Sequence, residues 1–234
     1  MRESAREPKD TASPTNWRTS VWLVLVEFLL IGLIFYADYI KYIPISKTPE
    51  LLLLGWISLR LRKLRWRDVG LSRDKMSLRI LLVGIVLGAV LETFQLTVTQ
   101  PILSKALGQQ PDLELFRILT GNLKITLLFI ALSWTLAAFG EEMFWRGYLM
   151  NRVAGLLGST QKGWLVSLLI VSAVFGLAHG YQGITGWIEE AIAGIALGGI
   201  YLASGRNLWL PILAHGVCDT IDMVLLFLGK MPGA

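Results

Sequence analysis

The chain has 234 residues, of which 54% are hydrophobic, and a mean hydropathy of +0.57, above the ~45–50% apolar usage of an ordinary soluble domain. Its 22 lysines and arginines against 17 acids give a net charge of +5, but these cations cluster between apolar runs as topology signals do, so nucleic-acid binding is not supported. A single cysteine, Cys218, excludes an intrachain disulfide and, lying in an apolar segment, says nothing of redox compartment.

Residues 1–20 are polar, contain Pro8 and Pro14, and read as a cytoplasmic tail on which no fold should be forced. Arg18 then precedes an apolar run with no small-residue cleavage site after it, which predicts a retained signal-anchor helix. From there residues 21–234 read as one all-α, polytopic membrane domain. Apolar segments at 21–36, 45–61, 78–98, 123–151, 164–179, 187–203 and 208–228 predict about seven transmembrane helices. The second is the weakest, because its clean apolar run over 51–59 is shorter than the ~17–25 residues of a span. Residues 99–121, with Pro101, Gly108 and Pro111, read as a polar connection.

Basic residues set the expected orientation. With the N-terminus inside, sixteen lysines and arginines fall on the inner side, eight of them within residues 60–79, and six on the outer side. That bias predicts a multi-pass protein of the cell inner membrane with a cytoplasmic N-terminus, and it favours counting the second segment as a crossing.

The fourth segment contains Gly140-Glu141-Glu142-Met143-Phe144-Trp145-Arg146. Charged residues at membrane depth cost at least ~2.5–3.5 kcal/mol each, so they mark a functional site unless the helix end snorkels to water. Helical geometry puts Glu142 and Arg146 at i, i+4, where they can pair, and turns Glu141 about 100° away. Glu142 and Arg146 therefore read as a structural ion pair, and Glu141 as the carboxylate left free for chemistry.

Both histidines sit in apolar helices, in Leu177-Ala178-His179-Gly180 and Leu213-Ala214-His215-Gly216, with Asp219 one turn beyond His215 and Asp222 a further turn along. Either histidine alone could simply bond a neighbouring helix. Together, Glu141, His179, His215 and Asp219 could converge on one water, as general base and oxyanion stabilisers, or on a Zn²⁺ ion. No H-E-x-x-H motif is present. Cys218, at i+3 from His215, is a weaker nucleophile candidate, since a thiol in an apolar helix is usually inert. Counted from the expected helix ends at ~1.5 Å per residue, His179 lies roughly 9 Å deeper than Glu141 and His215.

Glu141-Glu142-x-x-x-Arg146, Phe175-x-x-x-His179 and His215-x-x-x-Asp219, with Leu208-Trp209-Leu210-Pro211-Ile212 ahead of the last, resemble the signature motifs of the CPBP family of CAAX-processing and bacteriocin-processing intramembrane proteases. The resemblance covers residues 123–228 as a catalytic core and leaves 21–122 as additional N-terminal helices. It implies a glutamate-type endopeptidase in which Glu141 and His179 activate water and His215 with residue 219 stabilises the oxyanion, without a cofactor, though Zn²⁺ remains open. Position 219 is Asn or Asp in that family; an ionised Asp cannot donate a hydrogen bond, which weakens its share of the oxyanion role. The implied substrate is a membrane-associated peptide or protein, prenylated or not, cut in the cytoplasmic half of the bilayer. The rival readings are a non-catalytic immunity or scaffold protein and a proton-coupled carrier using Glu92, Glu141 and the histidines.

Overall fold

The computed structural model describes residues 20–233, which contain nine α-helices and no strand. The polar tail expected over residues 1–20 lies, apart from Ser20, outside the described residues. Six helical stretches are long and apolar enough to cross a membrane. Helix α1 (Val21–Tyr39) is the first of them, followed by the short α2 (Thr48–Leu61). Helices α3 (Leu78–Phe94) and α4 (Gln100–Leu107) run on through a π-helical turn at Gln95–Thr99. The expected polar connection therefore begins later than residue 99: Pro101 lies within the continuous helical stretch, directly after the π-helical turn, the kind of local adjustment by which a membrane helix accommodates a proline.

Helices α5 (Leu123–Leu132) and α6 (Met150–Leu156) are the ends of one 34-residue rod whose middle, Ser133–Glu141 and Met143–Leu149, is π-helical. Helices α7 (Gln161–Ala178), α8 (Gly183–Ala203) and α9 (Trp209–Phe227) complete the bundle. The core is aromatic, with Phe144, Trp145, Tyr148, Phe175 and Tyr201 all at 2% exposure or less. Leu29, Val86, Leu128 and Leu169 instead point outward, as a bilayer permits where water would not.

Helix α2 has 14 residues and falls short of a full crossing, which accounts for six long stretches where about seven were expected. It still returns the chain. Arg62 at its C-terminal end makes a two-pronged bond with Glu27 near the start of α1, at 2.5 and 3.1 Å, and Lys47 at its N-terminal end pairs with Asp38 at the close of α1. The two helices are thus antiparallel, and seven segments alternate between two ends of the molecule.

One end gathers the basic loops. Lys75 Nζ donates to the Gly205 and Arg206 carbonyls, Trp209 Nε1 to that of Ser72, Tyr201 Oη to that of Val69, and Arg206 stacks on Trp164. The opposite end joins Asp112 N to Gln182 O, Thr185 Oγ1 to Gln109 O and Gly121 N to Phe227 O. Arg146, one of the sixteen inner cations counted from the sequence, is buried mid-bundle, which leaves eleven basic residues on that side among the described residues.

Two glycines set the approach of α9. A Cβ on Gly88 of α3 would stand 2.5 Å from the Ala214 carbonyl oxygen, and one on Gly216 would stand 2.6 Å from the Trp134 ring. Gly180 and Gly199, by contrast, face open space.

Candidate active site

The rod carries the first group of charges. Ser133, Ala137 and Glu141 recur every four residues and line one cavity of about 380 Å³. π-Helical turns, with their wider i→i+5 bonding, are frequent at functional sites. Glu142, one residue on from Glu141, is fully buried behind the cavity and pairs with Arg146 at 2.6 Å. Arg146 also donates to the Gly194 carbonyl at 3.1 Å and lies 4.8 Å from the Phe175 ring centre, so the cation is satisfied on three sides.

His179 caps the C-terminus of α7, and its ring folds back so that Nδ1 donates to the Phe175 carbonyl at 2.9 Å. A carbonyl can only accept, so Nδ1 holds the proton and the neutral ring keeps its lone pair on Nε2. His215 Nδ1 donates to Glu142 Oε1 at 2.9 Å, while its Nε2 stands 3.5 Å from Asp219 Oδ1. Asp219 is held in turn by the Ser133 hydroxyl, which donates to Oδ2. The Phe175 ring lies between the two imidazoles, 4.7 Å from His179 and 6.3 Å from His215.

All four residues expected to converge, Glu141, His179, His215 and Asp219, line the same cavity. The apparent depth mismatch of His179 disappears for three reasons. The rod runs to Leu156 rather than residue 151, which puts Glu141 about 22 Å from that end. The His179 ring points back toward the N-terminus of its helix, as helical side chains do. Helix α9 starts deep, with Leu208 fully buried beside Gly147 and its N–H on the Gly70 carbonyl, so His215 is lifted to the level of Glu141.

The same geometry corrects two expectations. The cavity walls include Ser46, Pro111, Tyr181 and Gln182, so the site lies toward the end opposite the basic loops, not in the half of the molecule that carries them. Glu142 is not the partner of Arg146 alone, because the oxygen that accepts from Arg146 also accepts from His215. Cys218 lies outside the Glu141 cavity, in an adjoining pocket, with Sγ 3.4 Å from the Gly88 carbonyl. Among the described residues no three His, Cys, Asp or Glu side chains form a group that could hold a metal ion.

Residues 123–221 match the family model described as type II CAAX prenyl endopeptidase Rce1-like. This stretch is Rce1-like. It opens at the first residue of α5 and closes within α9, so the Rce1-like stretch contains every charged side chain of the site described above. The chain is accordingly an integral, multi-pass helical protein in which residues 123–221 are similar to the CAAX-type membrane protease family. No curated protein and no solved structure matches it.

Reading from sequence passed over Ser133, which holds Asp219, and the Glu189-Glu190 pair, whose residues both line the cavity. A second pair of acids inside an apolar span carried the same signal as Glu141-Glu142 and was open to the same argument.

Proposed function

We propose that the protein is an intramembrane endopeptidase that hydrolyses a peptide bond of a membrane-associated substrate with a water activated by Glu141 and His179. The observation that carries this reading is the sharing of one cavity by Glu141, His179, His215 and Asp219, while Glu142 and Arg146 are sequestered behind it. Glu141 Oε2 has no hydrogen-bond partner in the protein and is free to take a proton from water. His179 Nε2 offers the second acceptor, because Nδ1 is committed to the Phe175 carbonyl.

As water adds, charge develops on the carbonyl oxygen of the scissile bond, and a donor already in place stabilises it without reorganisation. His215 is fixed for this task. With Nδ1 donating to Glu142, the atom left to face the cavity is Nε2, and in the imidazolium form, held between the carboxylates of Glu142 and Asp219, it is a second N–H that donates to the oxyanion beside residue 219. Collapse of the tetrahedral species then passes a proton to the leaving amine from the acid formed on Glu141. No metal ion enters this scheme. The basic loops at one end favour a cytoplasmic side for that end, and in that orientation the cavity opens in the outer half of the bilayer.

The test uses purified protein in lipid nanodiscs and a quenched-fluorescent apolar peptide library. Glu141→Ala should abolish cleavage, and a chelator should leave the wild type active. Undiminished cleavage by Glu141→Ala would sink the mechanism; chelator inhibition reversed by Zn²⁺ would replace it with a metal-dependent one.

A further inference from the structure

Beyond His215 and Asp219 the cavity continues between α3, α8 and α9, and its character changes. Glu92 from α3, Glu189 and Glu190 from α8 and Asp222 from α9 all line it, with Asp219 between them and Glu141. No lysine or arginine is among the lining residues. The proposed hydrolysis uses none of these four acids.

Glu92 of α3 and Asp222 of α9 meet as a hydrogen-bonded carboxyl pair, while Gln100, 2% exposed, turns an Oε1 with no hydrogen-bond partner into the same half. Buried polar groups are normally paired, and an unpaired amide oxygen beside Glu189, Glu190 and the Glu92–Asp222 pair calls for a ligand rich in N–H donors. Apolar side chains of Leu96, Met223 and Leu226 line the same space. The acids do not gather into a metal-holding group, which disfavours a compact ion and favours an extended organic cation. An arginine or lysine side chain has that form, an aliphatic stem with a charged, donor-only head.

We infer that the acidic half of the cavity is a subsite for a cationic side chain of the peptide substrate, with arginine the better fit. Guanidinium offers five N–H donors in a planar fork suited to carboxylates. The inference rests on the proposed protease reading for its placement. Seven residues separate His215 from Asp222, about 10 Å along α9, and an extended peptide covers that in about three residues. The cationic residue therefore lies within about three positions of the scissile bond.

The test is a pair of apolar peptides, identical except that one carries arginine and the other citrulline, which has nearly the same shape and no charge. Binding is measured by fluorescence anisotropy to the full-length Glu141→Ala protein in nanodiscs, and cleavage with the wild type. The arginine peptide should bind at least about tenfold more tightly, since a site built for hydrogen bonds rejects an analogue that lacks them. Glu92→Gln should reduce that ratio to within about twofold, and Asp222→Asn gives the same reading should Glu92→Gln fail to fold. Equal binding of the two peptides overturns the subsite, as does a ratio that survives both substitutions. Thermal stabilisation by Na⁺ or Ca²⁺ with no preference between the peptides assigns the acids to a metal ion and also overturns it. A wild type that binds arginine selectively but cleaves neither peptide keeps the subsite and sinks the protease reading. Equal cleavage and equal binding of both keeps the protease and sinks the subsite.

Discussion

Replacing Arg146 by alanine tests the centre of the structural argument. Its guanidinium is 2% exposed and lies 2.6 Å from Glu142, which is 0% exposed. Removing one partner of a buried pair strands the other charge and costs ~3–5 kcal/mol. The Gly194 carbonyl loses its donor as well, but both effects come from the same side chain and do not simply add. At ~2–4 °C per kcal/mol for a chain of 150–250 residues, the melting temperature should fall by ~6–20 °C. Differential scanning fluorimetry in detergent reads this directly. The double substitution Glu142→Leu with Arg146→Met sharpens the test. Exchanging both partners of a buried pair for apolar groups is often neutral, so part of the lost stability should return, the remainder reflecting the His215 Nδ1 and Gly194 carbonyl left unpaired. Activity should not, because Glu142 also holds Nδ1 of His215 at 2.9 Å. Melting of Arg146→Ala within ~2 °C of wild type, with activity lost, would refute this reasoning and make Arg146 a substrate-binding or catalytic group.

Other outcomes follow from the same contacts. Cysteine introduced at Ser72 should be labelled from the cytoplasm and at Gln109 from outside, since among the described residues the two ends of the bundle carry eleven and six basic residues; labelling of both from one side sinks the topology. Gly88→Ala places a Cβ 2.5 Å from the Ala214 carbonyl, and the forced shift of α3 from α9 should cost ~1–3 kcal/mol in denaturant unfolding. Unchanged stability there would mean that the helices are not in close contact. Asp219→Asn adds an N–H beside Nε2 of His215 and leaves Ser133 a partner, so partial peptidase activity should survive; complete loss in a well-folded variant counts against the oxyanion role.

What was legible in the sequence is what depends on neighbours along the chain. Long apolar runs predict spans because an unpaired backbone cannot lie in lipid, and the helices appear where those runs are. The pairing of Glu142 with Arg146 and the common face of His215 and Asp219 are one-turn relations, fixed by local geometry before any packing. The cost of charge at membrane depth singled out Glu141 on the same local grounds.

How deep each helix sits was not legible, because the offset between neighbouring helices is set by contacts between them and leaves no mark on hydropathy. The buried start of α9 at Leu208, the five residues by which the rod outlasts its expected end, and the turned-back ring of His179 together bring four residues to one cavity. Those same offsets put the cavity away from the basic loops. The bond from His215 to Glu142 spans 73 residues of chain, and no periodicity encodes it. Local spacing determined which side chains could act; only the meeting of α3, the π-helical rod, α7, α8 and α9 decided which of them share a space, since that depends on how closely small residues such as Gly88 and Gly216 let the helices approach.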